Sequence, residues 1–171
     1  RMRRLRGSRI SMVMQDPKFS LNPVMTVGRQ IMEGYRLHTG KSRAAARDKA
    51  LEMLAAVQIR DPERVFHAYP HEVSGGMGQR IMIAMMLAPD PEILIADEPT
   101  SALDVSVRNE VLRIMDRLVG ARGMGLIFIS HDLNLVAQFC DRVLIMYAGR
   151  VSRNCPPATC TPRSTPIRRA S

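Results

Sequence analysis

The chain has 171 residues, of which 46% are hydrophobic and 24% charged; this is enough for one domain with a buried core, and too balanced for a disordered or collagen-like chain. Its formal net charge of +9 comes from the two ends, because residues 1–10 hold five arginines and residues 151–171 hold four, with no acid in either stretch. The body between them is neutral, which argues against a nucleic-acid-binding surface, and it has no apolar run long enough to cross a membrane.

The first predicted elements are a strand followed by helices. Apolar and polar residues alternate over residues 9–14, which predicts a strand, and the Pro-containing loop at 16–23 ends it because proline cannot donate to a sheet ladder. Ser42 is a plausible N-cap, and apolar residues recur at helical spacing after it. We therefore expect residues 24–70 to be mainly helical.

From Pro91 onward the pattern changes to short apolar runs separated by helices. Continuous apolar strands that alternate with helices are typical of βαβ units and of a parallel sheet covered on both faces. The predicted strands are 93–96, 126–129 and 143–146, and the predicted helices lie near 105–120 and 133–139.

The predicted strand 93–96 is followed by the clearest chemical feature of the sequence, the adjacent carboxylates Asp97 and Glu98. They come at the end of an apolar strand, where ligands of open α/β sheets bind. Successive side chains diverge, so that one acid can reach a magnesium ion while the other faces an attacking water. The alternative is a strand end followed by an ordinary solvated loop.

Two weaker features accompany the acid pair. Ser74, Gly75 and Gly76 precede a helix, and bare backbone N–H groups at a helix start can bind an anion; the alternative is a capped turn. His131 follows the predicted strand 126–129, which lies beside the strand of Asp97 if the sheet is parallel. A lone histidine in that position is more often structural.

The order and spacing of these pieces resemble the ATP-binding subunit of ABC transporters. The resemblance covers about residues 8–151 and rests on five motifs in the family's order. They are the Q-loop (Gln15), the signature motif (Ser74-Gly75-Gly76), the Walker B strand (Ile93–Asp97) with Glu98, the D-loop (Ser101–Asp104) and the switch histidine (His131). Gln15-Asp16-Pro17, Tyr69-Pro70-His71-Glu72 and Met77 are similar to the oligopeptide, dipeptide and nickel importer branch.

The resemblance implies an α/β fold, a P-loop NTPase core of the ABC type with a partial parallel sheet and an inserted helical subdomain. Residues 1–23 would end the N-terminal half of the core, and residues 24–88 would form the helical subdomain that ends in the signature motif. Residues 89–151 would be the C-terminal half of the catalytic core. Residues 152–171 would be a non-native tail.

The resemblance also implies roles for single residues around ATP and Mg²⁺. Asp97 would hold Mg²⁺ largely through water, and Glu98 would polarise the hydrolytic water. Gln15 would sense the metal and the water, and His131 would contact the γ-phosphate. The ATP held by a second copy or a paralogue would be bound by Ser74, Gly75, Gly76 and Asp104.

The implied partners are membrane permease subunits, a second ATP-binding subunit and, indirectly, a solute-binding protein, with no nucleic acid. The implied location is the cytoplasmic face of the bacterial inner membrane, where the subunit would couple ATP hydrolysis to uptake of peptides or a related small solute. Two alternatives stay open: a soluble ABC ATPase that acts on nucleic acid or the ribosome, and a non-catalytic remnant.

Two departures from the family indicate an incomplete copy. The pattern of a phosphate-binding Walker A loop is missing, because Thr39-Gly40-Lys41-Ser42 lacks the first glycine and falls between predicted helices. We therefore expect the chain alone neither to bind ATP tightly nor to hydrolyse it. After Val151 the family's C-terminal stretch is replaced by Pro, Thr and Arg; codons can be chosen so that reading one base earlier yields its His-Pro-Tyr-Thr segment, which suggests a frameshift near Val151.

Overall fold

The computed structural model describes residues 2 and 5–157 of the chain. The strands are β1 (Ile10–Val13), β2 (Ile93–Asp97), β3 (Gly125–Ile129), β4 (Val143–Tyr147) and β5 (Arg150–Cys155). The helices are α1 (Pro17–Ser20), α2 (Val27–Thr39), α3 (Arg43–Ala56), α4 (Pro62–His67), α5 (Gly75–Leu87), α6 (Val105–Arg122) and α7 (Leu133–Phe139). Over the described residues, none of these helices has the length and apolar character needed to span a bilayer. The chain divides into two compact units, Arg1–Ile127 and Phe128–Ser171.

The first unit is built on a parallel sheet, as the apolar strand pattern predicts. Strands β1 and β2 run parallel, with Ile10 opposite Ile93 and Val13 opposite Ala96, and β3 is hydrogen-bonded to the other side of β2. One face of the sheet is fully buried at Val13, Leu94 and Ala96. Because side chains alternate along a strand, the residues between them point to the opposite face.

The helical region predicted for residues 24–70 is confirmed by α2, α3 and α4. Ser42 caps α3, since its Oγ accepts a hydrogen bond from the backbone N–H of Ala45 at 3.2 Å. Gly40 ends α2 in the left-handed conformation, with φ of 67°. The segment Thr39–Ser42 is therefore a connection between two helices and does not follow a strand, as expected.

Helix α5 lies in the middle of the first unit. Most of its residues after the first turn are buried, including Ile81, Met82 and Ile83. Arg80 is a polar exception, and its Nη1 donates to the carbonyl oxygen of Gln58 and to Glu110 Oε1 at 3.2 Å each. Helix α5 therefore contacts both the helices that follow β1 and helix α6.

The second unit differs from the expectation for residues 143–146. Strand β4 pairs antiparallel with β5 in a two-stranded sheet of its own, whereas the sequence pattern placed it in the parallel sheet. The cause is a tight turn in which Ala148 and Gly149 both have positive φ, 47° and 76°, as in the two-residue hairpin turns that match strand twist. Strand β5 includes residues 152–155 of the predicted tail; residues 158–171 lie outside the described part.

Candidate functional site

The two predicted carboxylates stand at the carboxyl end of β2. Asp97 is the last residue of the strand and is half-buried. Glu98 follows with φ of 45°, a left-handed conformation that is uncommon for a residue with a side chain. The backbone therefore turns sharply at Glu98, and the two carboxylates leave the strand in different directions.

The turn after Glu98 is closed by its own hydrogen bonds. The backbone N–H and the Oγ of Ser101 both donate to the carbonyl oxygen of Glu98, at 3.3 and 3.2 Å. The N–H of Leu103 donates to the carbonyl oxygen of Thr100 at 3.2 Å, and Thr100 is buried. These bonds hold Glu98 in a defined backbone conformation, which persists only where the surroundings stabilise it.

A fourth hydrogen bond reaches this turn from helix α5. Gln79 is only 1% exposed, and its Nε2 donates to the carbonyl oxygen of Pro99, the residue after Glu98. Gln79 was not among the site residues predicted from the sequence. The available signal was its position just before an apolar helical run. A glutamine in that position is expected to be buried, and a buried polar side chain needs a hydrogen-bond partner.

The predicted signature residues form the start of the same helix. Ser74 is the N-cap of α5, and its Oγ accepts from the N–H of Met77 at 3.4 Å. A Cβ at Gly75 would meet nothing within 4 Å, whereas a Cβ at Gly76 would lie 2.6 Å from Cγ1 of Val107 in α6. Gly76 therefore permits the close approach of two helices, and Gly75 faces open space.

Gln15 leaves the sheet at the same edge as Glu98. Val13 lies opposite Ala96 in the parallel register, and Gln15 and Glu98 each follow two residues later. Gln15 is exposed, and helix α1 begins just after it at Pro17. Pro17 reaches the first turns of α5, since a Cβ at Gly78 would be in ordinary contact with its Cγ at 3.5 Å.

Asp104 is the residue before helix α6. It is exposed, makes no side-chain capping bond, and accepts the N–H of Arg108 at 2.8 Å through its carbonyl oxygen. Val107, three residues later, is the contact of Gly76. The structure thus gathers the segments of Gln15, the Ser74–Gly76 turn, Glu98 and Asp104 around the first turns of α5.

His131 belongs to the second unit. It is exposed and lies between β3 and α7. Its neighbours are ordered locally, because Asp132 caps α7 by accepting the N–H groups of Asn134 and Leu135 at 3.0 and 3.2 Å, and its own N–H donates to Ser130 Oγ at 3.1 Å. The approach of His131 to the carboxylates stays a prediction.

Among the described residues, no three His, Cys, Asp or Glu side chains cluster as a protein-built metal site requires. A cleft of about 260 Å³ lies away from the predicted site, lined by Gln58, Glu110, Arg113, Ile114 and Arg117.

Comparison with known proteins gives close relatives. The chain is 57% identical over 150 residues to "Probable peptide ABC transporter ATP-binding protein y4tR" of Sinorhizobium fredii. It is 52% identical over 150 residues to a putative peptide import ATP-binding protein of Brucella abortus. Both alignments include 88% of this chain and 45% of the relative, so the chain spans a little under half the length of these curated relatives.

Solved structures share the fold. The dimeric post-hydrolysis state of the ATP-binding cassette MJ0796, bound to ADP and Pi, is 28% identical with a TM-score of 0.78, over 91% of this chain and 66% of that one. CbiO1 of Clostridium perfringens, part of the ABC transporter complex cbiONQ, is 28% identical with a TM-score of 0.77, over 90% of this chain and 59% of that one.

The family comparison agrees with these likenesses and with the resemblance drawn from the motifs. Residues 1–101 match the family described as ABC transporter, and this stretch includes Gln15, the signature turn and the carboxylate pair. The chain therefore belongs to the ABC transporter family, as an ATP-binding domain with the fold of the ABC ATPase cassettes.

Proposed function

We propose that this chain supplies the hydrolytic carboxylates and the signature helix of an ATP-binding subunit in a bacterial importer of peptides or a related small solute. The observation that carries the proposal is the position of Glu98, at the carboxyl end of a buried parallel strand and in a turn bonded to the signature helix. The peptide-import names of relatives that are 52–57% identical support the solute class.

Glu98 is the proposed general base. Its carboxylate would accept a proton from the water that attacks the γ-phosphate of ATP, a role that requires a positioned group more than covalent chemistry. Gln15 leaves the sheet at the same edge and would orient that water. His131 would donate a hydrogen bond to the γ-phosphate.

Asp97 fits a magnesium ion held mainly by water. Mg²⁺ keeps several waters and takes one or two protein carboxylates together with nucleotide phosphates, and Asp97 is a single half-buried carboxylate at the strand end. Gln15 would complete this coordination from the neighbouring strand. Bound there, Mg²⁺ would neutralise the charge of the phosphate oxygens.

Ser74, Gly75, Gly76 and Asp104 would bind the ATP of a second ATP-binding subunit. The backbone N–H groups at the start of α5 point along the helix axis at its positive end, which favours phosphate. Gly75 leaves room there, since nothing lies within 4 Å of a Cβ at that position. The competent unit would be a head-to-tail dimer, of two copies or of two paralogues.

The remaining parts of the chain follow the same scheme. Residues 1–23 and 89–151 would form parts of the catalytic core, and residues 24–88 would be the helical subdomain that docks on the permease at the cytoplasmic face of the membrane. A solute-binding protein would act through the permease. Residues 152–171 would have no part in the reaction.

The test is a chimera in which the matching 150-residue region of the Sinorhizobium relative is replaced by this chain's residues. The chimera is reconstituted with its permease and assayed for ATP hydrolysis. A Glu98→Gln variant is expected to lose about 100-fold or more of the rate, because a general base contributes that much. The matched control is Glu92→Gln, at the opposite end of β2, which is expected to retain the rate.

The result that would contradict the proposal is hydrolysis by the Glu98→Gln chimera at the unmodified rate. The isolated 171-residue chain serves as a second reference, and we expect it to show no hydrolysis above background because it has no Walker A sequence.

A further inference from the structure

Gln79 joins the signature helix to the turn that carries Glu98. Its Nε2 donates to the carbonyl oxygen of Pro99 across 20 positions of sequence, and the side chain is almost completely buried. A buried carbonyl that loses a hydrogen-bond donor pays a desolvation penalty. The turn is therefore held from outside by α5 as well as from within by Ser101.

Because Gln79 lies near the start of α5, this bond links the start of the helix to the turn after Glu98. Gln79 lies five residues after Ser74, so its Cα is little more than one helical turn from the N-cap. Two other residues in the first turns of α5 lie against neighbouring elements, Gly76 against Val107 and Gly78 against Pro17. A displacement of the start of α5 cannot leave the Pro99 carbonyl unchanged, because closely packed elements transmit strain.

We propose that Gln79 is a positioning residue that sets the backbone conformation at Glu98 and so links the signature turn to the general base within one chain. The inference rests on the proposed function. In the head-to-tail dimer the signature turn faces the partner's ATP, while Glu98 acts on the ATP of its own subunit. Gln79 thus couples the two nucleotide sites through the body of a single subunit.

The first test measures the turn itself and needs no nucleotide. In the 171-residue chain, Gln79→Met keeps the length of the side chain but removes the donor. We expect the amides of Ser101 and Leu103, which close the turn, to exchange with deuterium about tenfold faster, the size of effect that the loss of one buried hydrogen bond produces. If Gln79→Met does not fold, Gln79→Leu replaces it, since leucine also fills the space without offering a donor.

Gln30 provides a matched control. It is also buried, and its Nε2 donates to the carbonyl oxygens of Asn22 and Met25 at 3.0 and 2.9 Å, in a different loop. Gln30→Met is expected to accelerate exchange at Asn22 and Met25 and to leave Ser101 unchanged. Unchanged exchange at Ser101 in the Gln79 variant that folds would overturn the inference.

The second test measures hydrolysis in the reconstituted chimera. The kcat is normalised to the number of nucleotide sites, counted with a non-hydrolysable ATP analogue, so that unfolded protein does not enter. We expect Gln79→Met to lower kcat about tenfold with KM for ATP unchanged, since a misplaced catalytic group costs rate and not ground-state binding. Glu92→Gln, at the opposite end of β2 from Glu98, is expected to retain kcat.

Glu98→Gln separates the two possible failures. If Glu98→Gln abolishes hydrolysis while Gln79→Met leaves kcat unchanged, Gln79 does not position the base, and only the inference falls. If Glu98→Gln retains hydrolysis, the proposed function falls and takes the positioning role with it.

Discussion

Gly75 and Gly76 offer a direct test of the packing at the start of α5, because the two adjacent glycines have opposite surroundings. An alanine at position 76 would put its Cβ 2.6 Å from Cγ1 of Val107, whereas an alanine at position 75 meets nothing within 4 Å. Val107 cannot turn away easily, since a valine in a helix has one strongly preferred rotamer. Gly76→Ala must therefore push α5 and α6 apart.

The magnitude follows from the difference between the two variants. Both replace glycine by alanine in the first turn of one helix, so the gain in helix propensity, roughly 0.5–1 kcal/mol in a helix interior, largely cancels between them. What remains is the overpacking at Val107, which costs about 1–3 kcal/mol. Gly76→Ala should be less stable than Gly75→Ala by that amount, a difference of several degrees in Tm for a chain of this size.

The assay is urea unfolding of the 171-residue chain, followed by circular dichroism. A Val107→Ala substitution in the Gly76→Ala background supplies the coupling, since removing the Val107 methyl groups should cost less there than in the unmodified chain. The reasoning is refuted if Gly76→Ala and Gly75→Ala agree in unfolding free energy within about 0.5 kcal/mol, the scatter of ordinary surface substitutions.

Two more predictions concern a helix cap and an ion pair. Ser42→Ala should lower the unfolding free energy, measured in urea, by about 1 kcal/mol because it removes the hydrogen bond to the Ala45 N–H. Thr26→Ala at the start of α2, where the side chain makes no capping bond, should cost less. Equal losses in the two variants would contradict this prediction. The Arg9 guanidinium donates to both oxygens of Glu92 at 2.6 Å, and this hydrogen bonding lowers the pKa of Glu92 from its ordinary 4.5. The pair therefore stabilises the fold above pH 4.5 and loses that effect as pH falls through the lowered pKa. The unfolding curves of the unmodified chain and of Glu92→Gln should differ at pH 7 and converge in acid. A difference in unfolding free energy that stays constant with pH would disprove the linkage.

The strands and helices of the first unit could be predicted because their patterns have local physical causes. Period-two alternation marked β1, apolar runs marked β2 and β3, and Ser42 marked the start of α3 through its hydroxyl. The parallel pairing followed because strands joined by helical crossovers run in one direction.

The hairpin of β4 and β5 escaped prediction because its cause is a backbone conformation. The turn needs positive φ at Ala148 and Gly149, and alanine rarely adopts it, so Gly149 alone was too weak a signal to predict a hairpin. The bond from Gln79 to Pro99 escaped for another reason. It joins residues that are distant in sequence, and only the packing of α5 against the sheet brings them together.

The register between β1 and β2 has a consequence for how this chain tolerates changes in length. Asp97 points away from the face on which Leu94 and Ala96 are completely buried. Deleting Ile95, the central residue of β2, would move Asp97 onto the buried face and drive a carboxylate into a dry interior, where a lone charge is far costlier than a missing methyl group. The alternation of buried and outward-facing side chains thus fixes the length of β2. Insertions or deletions should be tolerated only in the connections on either side of the strand.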